Sequence, residues 1–129
     1  MNTPNYTILF VEDPLASADL YAGLFGVEPA YTSGNFVMFV LPHGYKFALW
    51  ASADPDAHVT AGENGNMAEI GVTLDSDEAV DRTFAEWSKK KELTVVMEPK
   101  TLPFGRSFVL VDPDSHRIRG GMALAANPR

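Results

Sequence analysis

Tyr6-Thr7-Ile8-Leu9-Phe10-Val11-Glu12-Asp13-Pro14 reads as a strand that runs directly into the start of a helix. β-Branched and aromatic residues fill 6–11, the composition of a pleated, half-buried strand. Asp13 is a helix N-cap, and Pro14 suits the first helical position, where a missing N–H costs nothing. Leu15, Ala18, Tyr21, Leu24 and Phe25 then recur at helical spacing, and Gly26 supplies a stop. Three strands are expected next, at 29–32, 36–41 and 46–51, with Pro42-His43-Gly44 as a hairpin turn between the last two.

The same order recurs downstream. A strand is expected over 69–74, and Asp75-Ser76-Asp77-Glu78 has the look of a capping box with Asp75 as the cap. Val80, Thr83, Phe84 and Trp87 fall at i, i+3, i+4 and i+7, the stripe of a helix lying on a sheet. Strands should follow at 93–97, 106–111 and 117–123, the last two joined by the tight turn Asp112-Pro113-Asp114-Ser115. Between the halves, 53–66 is polar, rich in Gly, Asp and Asn, and without periodicity, so it reads as a linker. The expected fold class is therefore α+β: two βαβββ modules at 5–52 and 67–124, each a helix outside a mostly antiparallel curved sheet. The segment 36–41 is apolar on both faces. Its second face has to meet the other half, a partner chain or a ligand.

Composition narrows the function. The chain has 129 residues and no cysteine, which excludes disulfides, thiolate zinc sites and thiol nucleophiles. Ten basic residues stand against 17 acidic ones, a net charge of -7, and the one basic cluster, Lys89-Lys90-Lys91, sits at a predicted helix end where cations suit the dipole. Nucleic acid is thus an unexpected partner. The first apolar run is too short for a signal peptide or a membrane span, so a cytoplasmic protein without membrane attachment is expected.

Two segments carry a family resemblance. Val111-Asp112-Pro113-Asp114-Ser115-His116-Arg117-Ile118 resembles the hairpin closing the last module of the vicinal-oxygen-chelate superfamily, which includes glyoxalase I, extradiol dioxygenases and bleomycin-resistance proteins. Phe10 to Asp13 together with Tyr21 to Gly26 is similar to its first strand and helix. The resemblance implies a single domain over 1–129 forming a cup. Phe47-Ala48-Leu49-Trp50, Pro103 to Phe108 and Arg119 further resemble the phenazine-antibiotic resistance proteins, dimers that hold a drug at the subunit interface between aromatic side chains. That likeness implies a homodimer with Trp50 as stacking platform and Phe104 and Phe108 as wall residues.

Enzymes of the superfamily hold a divalent metal on inward side chains of four strands, and the corresponding positions here are Tyr6, Ala48, Glu69 and Arg119. Alanine has no donor atom, a tyrosine phenol is a poor ligand at neutral pH, and a guanidinium stays protonated. At about 5 Å and an effective dielectric near 20, a guanidinium repels a divalent ion by several kcal/mol. The three histidines, His43, His58 and His116, lie in turns and linker. Neither a metal nor another cofactor is expected. Glu69 and Arg119 are read instead as an ion pair filling the vacated place, or as an arginine that meets an anionic ligand group. A proton-transfer role for Glu69 stays open.

The remaining candidates are aromatic. Trp50 shares its inward parity with the small Ala48 and Ser52, which leaves room for a ring beside the indole, although plain core is the competing reading. Phe36 and Met38 share that face across the hairpin, as wall or as core. Phe104 and Arg106 flank Gly105 in an expected loop, where an arginine could stack on a bound ring, and Tyr31 is a further candidate. Together these residues describe a binder of a planar aromatic small molecule that performs no chemistry. The alternatives are a superfamily enzyme without metal or with atypical ligands, and a module whose apolar sheet serves only dimerisation.

Overall fold

The computed structural model describes residues 3–57, 68–113 and 115–121. The first module comprises β1 (Tyr6–Val11), α1 (Pro14–Phe25), β2 (Tyr31–Thr32), β3 (Phe36–Val40) and β4 (Lys46–Ala51). The second comprises β5 (Ala68–Val72), α2 (Asp77–Trp87), β6 (Thr94–Leu102), β7 (Gly105–Val111) and β8 (Arg117–Gly121). All eight strands form one sheet in the order β2-β3-β4-β1-β5-β8-β7-β6. The modules meet at their first strands, with Ile8 opposite Glu69 and Tyr6 opposite Gly71 in an antiparallel pair. Within each module the first and last strands run parallel, and the others pair antiparallel. The α+β class with two like modules and helices outside a curved sheet is the observed fold.

Side-chain alternation divides the molecule into three clusters. Tyr6, Ile8, Phe10, Phe36, Met38, Ala48 and Trp50 face inward, joined by Met97, Leu102 and Val109 from the second module. Val37, Phe39 and Leu49 point the other way, under Ala18, Tyr21 and Ala22 of α1. Phe108 and Leu110 lie under Val80, Phe84 and Trp87 of α2. Each large apolar side chain removed from water in this way contributes about 1.5–3 kcal/mol. The doubly apolar stretch at 36–41 therefore has a partner on both sides: the cup within, α1 without.

The local signals resolve with some corrections. Asp13 caps α1, its Oδ1 accepting from the backbone N–H of Leu15 and Ala16, and Gly26 ends the helix at φ 67°, a conformation glycine adopts without strain. The second cap is Ser76, not Asp75: the Ser76 hydroxyl accepts from the Ala79 N–H, and Asp77 and Glu78 occupy the first turn, where negative charge is favoured. With Ala79 at the third helical position there is no glutamate to close a capping box. The stripe read on α1 is also corrected. Ala18 is buried, but Leu15, Leu24 and Phe25 are exposed by 45%, 65% and 48%. Apolar residues occupy more than one face of this helix, so spacing alone does not select the buried one.

The strand edges shift too. β2 shrinks to two residues, and β6 runs on through Pro99 to Leu102, which is possible because β6 is an outer strand and proline's missing N–H can face away from the sheet. Arg106 consequently lies inside β7 and not in a loop. The stretch expected to be a plain linker holds a short 3-10 turn at Pro55–Ala57. The rest of that linker with His58, together with Asp114 and the end of the last expected strand at 122–123, lies outside the described residues. No helix among the described residues is long and apolar enough to cross a membrane.

Candidate functional site

The four positions to which the resemblance assigns metal donors, Tyr6, Ala48, Glu69 and Arg119, are all buried. Tyr6 is fully buried on β1, and its hydroxyl donates to the Gly121 carbonyl at 3.3 Å. Its ring covers Gly71 so closely that a Cβ there would fall 1.8 Å from a ring carbon. Burial pushes the phenol's pKa far up, opposed by the positive Arg119 and assisted by the negative Glu69, so it stays protonated. Ala48 pairs with Ile8 on the adjacent strand and offers only a methyl group.

Glu69 and Arg119 complete the centre, and they form the ion pair. Arg119 donates from Nε to Glu69 Oε2 and from Nη1 to the Ser107 hydroxyl at 2.8 Å. A second guanidinium joins them: Arg117 donates from Nε to Glu69 Oε1 at 3.1 Å and from Nη2 to the Ala57 carbonyl at 2.8 Å. All three side chains are almost wholly buried. Taking such ions out of water costs several kcal/mol each, which only close pairing and saturated hydrogen bonding can offset. A neutral phenol, a methyl group, a carboxylate already accepting from two guanidiniums and a guanidinium do not make a donor set for a divalent ion. Among the described residues no three His, Asp or Glu side chains cluster elsewhere as a metal site.

Sequence reasoning missed Arg117, although strand alternation carries the signal. Residues 117 and 119 share a face of β8, and if one points inward the other does as well. It also missed Asp54, whose Oδ2 accepts from the Trp50 indole N–H at 3.0 Å, and Phe10, which holds the Arg117 guanidinium 5.0 Å from its ring centroid.

Trp50 stands on the inward face, as the parity predicts, but with 1% of its surface exposed it is packed as core, and the room expected beside the indole is filled by its neighbours. Phe36 meets the indole edge-on at 5.6 Å, Phe10 lies 6.0 Å away, and the Arg119 guanidinium sits 5.1 Å from the ring. Arginine over indole is a favourable cation–π pair, strengthened by the dry surroundings. Met38 and Phe36 belong to the same buried cluster, with Tyr31 and Phe104 packed half-buried at its rim. Five of the candidates, Trp50, Phe36, Met38, Tyr31 and Phe104, are thus brought together.

Two candidates are not. Phe108 and Arg106 lie on the helix side of β7. Phe108 packs against Phe84 and Trp87 of α2, and Arg106 is paired with Asp81 at 2.8 Å. The family likeness, which alone suggests Phe108 as a wall residue, is overridden by strand alternation: inside β7 the residues at 106 and 108 oppose the inward Ser107 and Val109. Neither can line the cup.

Comparison with known proteins agrees with this geometry. The family described as "Glyoxalase/Bleomycin resistance protein/Dioxygenase superfamily" matches residues 3–119. The chain is 36% identical over 120 residues to the phenazine antibiotic resistance protein EhpR of Enterobacter agglomerans, covering 91% of this chain and 89% of that protein. It also resembles a crystal structure described as an NAD-dependent benzaldehyde dehydrogenase from Legionella pneumophila, at 32% identity and a TM-score of 0.75, covering 91% and 96% of the two chains. A superfamily member from Vibrio splendidus 12B01 shares the fold at a TM-score of 0.57 and 17% identity, over 89% and 94%. With its paired modules, its central cup and a match over nearly its whole length, the chain belongs to the glyoxalase/bleomycin resistance protein/dioxygenase superfamily.

Proposed function

We propose that this protein binds a planar aromatic small molecule in its cup and confers tolerance to an aromatic antibiotic by holding it unchanged. The observation that carries the reading is the make-up of the cup: aromatic rings around Trp50, and an Arg–Glu–Arg cluster where metal-dependent relatives place donors. Apolar walls with few fixed polar groups suit a flat, weakly polar ligand. Likeness to a protein named for phenazine resistance supports the same ligand class. The enzyme alternative fares worse, since both Glu69 oxygens accept from guanidiniums, which holds the carboxylate in its charged, paired form.

The binder acts in the cytoplasm as a homodimer, with neither nucleic acid nor membrane as partner. Support for pairing comes from α1, whose Leu20 and Leu24 are exposed by 58% and 65%, more apolar surface than a lone helix usually shows to water. Lys89, Lys90 and Lys91 lie exposed just past the end of α2, where cations suit the helix dipole.

Titration with phenazine, followed by tryptophan emission, tests the reading. A saturable quench is expected, and Trp50→Phe should abolish it, since the remaining Trp87 lies on the far side of the sheet. Chromatography should return the phenazine unaltered. Chemical conversion of the phenazine, or a quench that never saturates, would overturn sequestration.

A further inference from the structure

The tip of the β6–β7 hairpin is where the second module reaches the aromatic rim of the first. Leu102 pairs with Gly105, leaving Pro103 and Phe104 as the two turn residues, and Gly105 takes φ 124°, which few side chains tolerate. A phenyl ring at such a tip ordinarily points into water. Phe104 instead lies over Phe36, with centroids 4.3 Å apart and planes 31° from parallel, and meets Tyr31 edge-on at 5.6 Å. Tyr31 and Phe36 stand 6.4 Å apart at 50° to each other, a notch into which a third flat ring fits. Behind Phe36 comes Trp50, so Phe104 is the outermost member of a file of rings leading to the indole.

We infer that this notch is the ring-binding subsite of the cup, taking an uncharged planar aromatic ring, and that Phe104 is its built-in occupant, which a ligand must displace. The inference rests on the sequestration reading and adds to it: Phe104 competes with the ligand instead of walling it. Displacement needs little. Leu102 is 5% exposed and holds the strand in the inward cluster, whereas the half-buried Phe104 side chain can leave by rotating about its own χ1, with no backbone hydrogen bond broken. While Phe104 fills the notch, apparent affinity is reduced by the fraction of molecules in which the notch is free. Phe104→Ala removes the competitor and leaves Phe36 and Tyr31 in place.

Calorimetric titration of the full chain and of Phe104→Ala with phenazine tests this, with a thermal melt of each protein alone. The expected result is about fivefold to tenfold tighter binding by the variant, which without ligand melts at a lower temperature than the parent. A wall residue would move both quantities downward together. Equal or weaker binding by the variant overturns the plug and leaves sequestration standing. Binding by the variant alone supports the plug and counts against sequestration by the native chain. If neither protein binds, both ideas fail.

Discussion

The two inner walls of the cup come from modules of the same βαβββ plan yet are of opposite chemistry. The first wall, carried by β3 and β4, presents Phe36, Met38, Ala48 and Trp50. The second, carried by β5, β7 and β8, presents Glu69, Ser107, Arg117 and Arg119. Alternation decides which residues point inward but leaves their polarity free, provided every buried charge is paired. The walls therefore differ in how they tolerate damage. Rings held by burial can be removed at the cost of a cavity; an ionic cluster loses far more when one member goes, because the others stay charged in a dry place.

Four measurements test that contrast. Glu69→Ala should have the largest effect, costing about 3–5 kcal/mol by leaving two buried guanidiniums facing each other; chemical denaturation measures it. Trp50→Ala should cost about 3 kcal/mol, near the low end for such truncations, because Phe10 and Phe36 can lean into the space. If Trp50→Ala proves the costlier of the two, the ranking of the walls is wrong. Ser107→Ala removes one acceptor from Arg119 and should cost about 1.5–2 kcal/mol.

The mildest effect concerns Tyr6, between the two walls. Its folded pKa is raised by burial, so the folded chain keeps the proton after the unfolded chain has lost it. The contribution is complete below the ordinary phenol value and declines as pH rises past about 10, by about 1.4 kcal/mol per pH unit. Tyr6→Phe should flatten the alkaline limb of the stability–pH curve by that amount. An unchanged slope would mean that Tyr6 is not sealed.

Much of the arrangement was legible in the chain. Asp13-Pro14 and Gly26 bracket α1, period-2 alternation placed Trp50 inward, and the duplicated order anticipated the two modules. What failed had specific causes. The cap moved from Asp75 to Ser76 because adjacent capping residues compete and spacing cannot choose between them. Phe108 enters the expected cup only through the family likeness and Arg106 only beside an expected loop; alternation along β7, with Ser107 and Val109 inward, sends both toward α2. Leu15, Leu24 and Phe25 keep helical spacing yet stay exposed, because α1 is apolar on several faces and spacing does not choose among them.

The amino-acid order alone determined the α+β class, the repeat, and that Tyr6, Ala48 and Arg119 are residue types that do not ligate a divalent ion in the usual way, since those properties belong to residue types and their local periods. Tertiary structure alone decided that β1 joins β5, that Arg117 doubles the charge around Glu69, and that Phe104 seats itself between Tyr31 and Phe36. These are contacts between residues far apart in the chain, and no local pattern records them. They follow from how a twisted sheet curls until its two modules face each other.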